Sequence, residues 1–112
     1  MKIIDKISVD ELKEMAEKMD GHLVKADVDI VKKIVIIDMP MHFEGEQELL
    51  SQGSKQEDLW GINLFHESFS TDDFIVYESM INLKPGQNAS MIVQSAEIKN
   101  TIRAIVDGVV HE

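Results

Sequence analysis

The apolar residues Val9, Leu12, Met15, Ala16 and Met19 recur three and four positions apart, with Asp10, Lys13, Glu14, Glu17 and Lys18 between them. That spacing gathers one buried stripe on a helix and turns the charges outward. Ser8 and Glu11 have the form of a capping box, flanked by Ile7 and Leu12 as a hydrophobic staple, and Gly21 offers a left-handed stop. Ahead of this helix, Lys2 to Ile4 is either a short edge strand or a lead-in.

From Leu23 the period shortens to two. Val24, Ala26, Val28 and Ile30 alternate with Lys25, Asp27 and Asp29, the signature of a strand with one apolar and one polar face. Ile34 to Ile37 is continuously apolar, as a central or doubly covered strand requires. The short link between the two predicts an antiparallel hairpin. Pro40 ends the second strand, and a short helix is predicted from Phe43 to Gln52, with Phe43, Gln47, Leu49 and Leu50 inward and Glu44, Glu46 and Glu48 outward. Gly53 caps it and Ser54 to Glu57 connects onward.

Leu59 to Phe65 reads as a third strand, with Trp60, Ile62 and Leu64 on one face and Gly61, Asn63 and Phe65 on the other. A glycine beside a tryptophan in a strand marks close approach of another group. After a polar loop from His66 to Asp73, Phe74 to Leu83 alternates again as a fourth strand, and Lys84 to Asn88 is a turn. Ser95 caps a last helix with Ile98, Ile102, Ile105, Val106 and Val109 as its inward stripe. The resulting order is α-β-β-α-β-β-α. We expect an α+β fold in two layers, with a mainly antiparallel four-stranded sheet packed with three helices, and a single domain over residues 1–112.

Composition narrows the function classes. Twenty-one acids against 11 Lys and Arg give a formal net charge of −10, which repels phosphate backbones and anionic lipid. The lysines are scattered and aromatics are 5%, so nucleic acid is not an expected partner. With no cysteine, thiolate metal sites and disulfides are excluded. The N-terminal MKIIDKIS lacks the apolar core of a signal peptide, and no apolar run approaches the ~18 residues of a spanning helix, so the expectation is a cytoplasmic protein off the membrane.

The strings LVKADVDI, GSKQEDLWGINLF, DDFIVYESMINLKP and EIKNTIRAIV resemble a small prokaryotic family known only as domain of unknown function 5674. The resemblance covers nearly the whole chain. It is most specific at Gly53, Ser54, Gln56, Glu57, Leu59, Trp60, Gly61, Ile62 and Asn63, with support from Ser79, Ile81, Asn82 and Pro85, and from His42, Glu44 and Glu46. It implies one compact domain and carries no reaction.

Three constellations could carry chemistry. His42 and Glu46 lie four apart, with Glu44 near by, a start toward a divalent-metal site that lacks the HExxH pattern; the alternative is a helix-start histidine beside solvated glutamates. Asp27, Asp29, Asn63, Glu78 and Asn82 fall on strand positions that can share a polar sheet face, joined from loops by Gln56, Asp58 and Lys84; the alternative is a solvated surface. Trp60 is either a pocket wall or core. The candidate ligand-binding set is therefore Ser54, Gln56, Glu57, Asp58, Trp60, Asn63, Asn82 and Lys84, with His42, Glu44 and Glu46 as the candidate metal set. No cofactor motif is present. The expected function is a binding or regulatory module acting through Gly53 to Asn63 on a small molecule or protein. Two alternatives stand beside it: a small hydrolase using His42 and nearby acids with or without a divalent metal, and a subunit of a homo- or hetero-oligomer.

Overall fold

In the computed structural model, which describes residues 1–112, the chain runs β1 (Lys2–Ile4), β2 (Ile7–Ser8), α1 (Val9–Glu17), β3 (Leu23–Asp29), β4 (Ile34–Ile37), α2 (His42–Ser51), β5 (Leu59–Phe65), β6 (Ile75–Val76), α3 (Ala96–Val109) and β7 (Val110–His111). Short 3₁₀ turns occupy Gln56–Asp58, His66–Ser68 and Met80–Asn82. Strands order as β1-β4-β3-β5-β6 in one antiparallel sheet, and β2 pairs with β7 in a separate parallel couple that ties the two ends of the chain together. The α+β class, the three helices and the mainly antiparallel sheet are those the residue pattern predicts. No helix is long and apolar enough to cross a membrane.

The helix ends follow from their capping residues. Ser8 and Glu11 exchange side-chain and backbone hydrogen bonds at the start of α1, and the Ser95 hydroxyl accepts from the Ile98 amide at the start of α3. α2 closes in a Schellman motif: the Gly53 amide donates to Leu50 O and the Ser54 amide to Leu49 O, with Gly53 at φ +101°.

Alternation along the strands divides the core into two unequal parts. Val24, Ala26 and Val28 of β3, Val35 and Ile37 of β4, and Trp60, Ile62 and Leu64 of β5 join Leu12, Met15 and Ala16 of α1 and Ile102 and Val106 of α3 in a cluster of 19 buried apolar residues. The opposite face receives α2. There Ile36, Met39, Leu49 and Leu59 make a cluster of four.

This arrangement departs from the sequence expectation in three places. Helices cover both faces of the sheet, so the expected two layers become three. The sheet has five strands rather than four, because Lys2–Ile4 pairs with β4 as an edge and the predicted fourth strand keeps just Ile75–Val76 in the ladder. Beyond Val76 the chain leaves β5 and coils into the Met80–Asn82 turn, capped by the Ser79 hydroxyl accepting from the Ile81 amide. Finally, α2 is rotated from its predicted facing: Phe43 and Gln47 are exposed, whereas Gly45, Glu46 and Leu49 meet the sheet. Gly45 sets that rotation, since a Cβ there would collide with Asp27 Oδ2 and Met39 Sδ.

Candidate functional site

A cleft of about 510 Å³ opens between α2 and the Ser79–Leu83 segment, lined by Lys25, Met41, His42, Phe43, Glu46, Gln56, Ser79, Met80, Ile81 and Leu83. Its lips are apolar and strongly exposed: Met80 74%, Met41 60%, Phe43 56% and Leu83 45%. Its base is polar and buried.

Beneath that base lies Asp27 on β3, fully buried where Gly45 lets α2 approach. Neither of its carboxyl oxygens has a hydrogen-bond partner of acceptable geometry. Burial first, and the Glu46 charge second, push its pKa up to about 9, against the Glu46 backbone amide and the Lys84 ammonium, which pull it down. Asp27 is therefore a neutral acid at pH 7. Glu46, nearly buried itself, accepts one long bond of 3.4 Å from Gln56 Nε2 and forms no ion pair.

Lys84 is buried beside them. Its Nζ donates to Gln56 O at 2.8 Å and Ile81 O at 3.2 Å and sits 4.8 Å from the centroid of the Trp60 ring. Burial lowers its pKa, while Glu46, Asp58 and Asp27 work to raise it. By holding the carbonyls of Gln56 and Ile81, it pins two walls of the cleft together. His42 opens α2 and places Nε2 2.8 Å from Ile62 O. Because a carbonyl only accepts, Nε2 carries the proton and Nδ1 is the basic atom. Burial depresses its pKa, so the ring is neutral at pH 7.

Most of the remaining predicted residues build the cleft rather than line it. Asn82, fully buried, accepts from the Gly61 amide at 2.8 Å and donates to Gly61 O at 3.0 Å and Met91 O at 3.1 Å. Its side-chain amide thus replaces the neighbour that β5 loses where β6 stops. Asn63 donates to Glu78 O at 3.0 Å and holds the same departing segment. Ser54 donates to Asp29 Oδ2 at 2.6 Å, and Asp29 Oδ1 accepts from the amides of Val31 and Lys32, so both residues serve the β3–β4 turn. The Asp58 carbonyl accepts from the Ile30 amide at 3.1 Å. Glu57 is exposed, and its carbonyl accepts from Gln87 Nε2 at 3.0 Å. Trp60 belongs to the large apolar cluster, with its indole nitrogen unpartnered.

Of the eight candidate ligand residues, then, Gln56 alone borders the cleft, and Lys84 supports it from beneath. The candidate metal set is split: His42 and Glu46 line the cleft, Glu44 points to solvent, and no three His, Asp or Glu side chains converge in metal-ligating geometry. Sequence reading missed Met41, Phe43, Met80 and Leu83 as lips. A signal existed in Met39-Pro40-Met41-His42-Phe43, a run too apolar for an ordinary exposed helix start, but its direction depends on how α2 is rotated.

The family model described as "Protein of unknown function (DUF5674)" matches residues 1–109, and the chain belongs to that family. No curated protein and no solved structure gives a significant match.

Proposed function

Since membership in that family brings no activity with it, we propose from the geometry that the protein is a binding module that takes an apolar group of its ligand into the cleft between α2 and Ser79–Leu83. One observation carries this reading: four large apolar side chains stand exposed around a single concavity whose walls are fixed from below by Lys84 and Asn82. A pre-formed, largely apolar concavity with few polar groups is how small ligands and side-chain anchors are received. The Gly53 to Asn63 stretch acts in this reading as scaffold, contributing Gln56 to the wall and its backbone carbonyls to Lys84.

Titration with a neutral apolar dye such as Nile red tests it. Saturable binding is expected, weakened several-fold by the Phe43→Ser/Met80→Ser double variant and unchanged by Val31→Ser, an exposed apolar residue on the β3–β4 turn that does not line the cleft. Equal dye binding by all three proteins would refute the reading.

A hydrolytic reading draws on a different observation, the neutral His42 ring in the cleft wall with Glu46 one helical turn away. Its Nδ1 would take a proton from water attacking an ester or amide. Turnover of an activated ester that disappears in His42→Ala is the expected result, and turnover equal in both proteins would remove it.

A further inference from the structure

The protein has eleven large apolar residues exposed at its surface, and six of them, Met41, Phe43, Met80, Leu83, Met91 and Ile92, belong to the cleft lips or to the strand of chain bonded to them. The Met91 carbonyl accepts from the Ser79 amide and from Asn82 Nδ2, which sets Met91 and Ile92 directly beside Ser79–Leu83. The apolar surface therefore runs out of the cleft and across its rim. A small metabolite seated inside would leave that extension in water. Covering it takes an occupant longer than the cleft, with one bulky apolar group inside and further apolar groups outside.

Charge defines that occupant further. Each wall carries an acid within it or directly next to a lining residue: Glu46 inside, Glu44 beside Phe43, Glu57 beside Gln56 and Glu78 beside Ser79. None of these is paired with a Lys, Arg or His side chain; the His22–Glu67 contact at 3.4 Å involves neither wall of the cleft. Lys25 and Lys55 are the cations at the same rim, and Lys84 lies buried beside Leu83, so acids outnumber bases four to three there, on a chain of net charge −10, and of the four acids Glu44, Glu57 and Glu78 are exposed. A second copy of this chain would bring the same acids face to face, and an anionic lipid surface would be repelled. Methionine lips adapt to side chains of differing shape, as surfaces that accept varied peptide partners do.

Resting on the cleft reading above, we infer that the ligand is a basic amphipathic polypeptide segment, which inserts one bulky apolar side chain between Phe43 and Met80, lays further apolar residues toward Met91 and Ile92, and sets Lys or Arg against Glu44, Glu57 and Glu78. The probe is a labelled helical peptide of Leu and Lys at amphipathic spacing, compared with the same peptide carrying Glu in place of Lys. Anisotropy titration is expected to show the basic peptide binding, at least ~tenfold weaker binding by Met80→Ser as for a central anchor contact, no change with Val31→Ser, and weakening at high salt. Equal binding of both peptides overturns the charge assignment, and indifference to Met80→Ser overturns the docking site. If Nile red binds the cleft while neither peptide does, the polypeptide inference fails and the cleft reading stands. If neither dye nor peptide binds, both fail.

Discussion

The two faces of the central sheet are built on opposite terms. On the α1/α3 face, 19 buried apolar residues interlock and contribute stability through area removed from water. On the α2 face a cluster of four apolar residues shares its space with Asp27, Glu46, Lys84 and Asn82, all buried. Unpartnered Asp27 oxygens are costly in such a place, because burying a polar group without a hydrogen bond costs roughly 1–3 kcal/mol by protein mutational measures. Nothing in the fold's need for a core explains that expense. The first face makes the protein stable, and the second spends some of that stability on a shaped, polar-floored cleft.

The contrast can be broken most severely at Gly45. Gly45→Val places carbon on Asp27 and Met39 and forces α2 off the sheet; overpacking of this kind costs about 1–3 kcal/mol or more. Urea denaturation is expected to show a loss at the upper end, accompanied by loss of Nile red binding. A cost within error would mean that α2 rests loosely. On the other face, Ile102→Ala creates a cavity worth about 2–5 kcal/mol, and cleft affinity measured well below the melting temperature should not change. A parallel loss of affinity would show that the two faces are energetically one.

How much of this could be read from residues alone divides along the same line. The α1/α3 face was legible: Leu12, Met15, Ala16, Ile102 and Val106 fall where helical spacing puts them, and Val24, Ala26 and Val28 where strand alternation does. The capping serines and Gly53 act as predicted. The α2 face was not. Lys25, Asp27 and Asp29 alternate as a solvated strand face does, and two of the three are instead fully buried. Period-two alternation reports which face a residue shares and says nothing of what covers it. The covering helix departs from its expected facing for a related reason: α2 lacks a strong one-sided apolar stripe, so its rotation is decided by the absence of a Cβ at Gly45. The residue pattern makes Asn82 a candidate ligand residue, and the structure gives its side chain a different role. That role is a backbone clamp on Gly61, which no periodicity reveals because it depends on β6 ending at Val76.

An effect of opposite sign is expected from Asp27→Asn. In the unfolded chain Asp27 loses its proton near the ordinary 3.8, whereas in the fold it keeps it until about 9. The folded state thus holds a proton that the unfolded state has released, and stability falls as pH rises between those values. At ~1.4 kcal/mol per pKa unit this amounts to a few kcal/mol by pH 7. Asparagine has no proton to lose, so the variant should gain stability at neutral pH and show a flatter profile from about pH 4 to 9. Glu46 and Lys84 face Asp27 in both proteins, and His42, whose depressed pKa acts in the reverse direction around its ordinary 6.5, is likewise common to both. Comparing the two proteins isolates Asp27. Parallel profiles would show that its carboxyl is not held protonated.

The smallest expected change in stability is at Met80, and there the contrast between the faces becomes sharpest. Met80 is the most exposed large apolar side chain of the protein, set on a short 3₁₀ turn that Asn82, Lys84 and Ser79 already hold through hydrogen bonds. Its side chain is therefore unneeded for folding, and Met80→Ser should shift stability by no more than about 0.5 kcal/mol, as for surface substitutions generally. In the proposed reading, the use of this exposed apolar side chain lies in what it meets outside the chain. Thermal melts of Met80→Ser that superimpose on those of the parent, while dye and peptide binding drop, would separate the two faces cleanly. A melting temperature lowered as far as that of Ile102→Ala would instead make the lip part of the core and leave the cleft without its anchor.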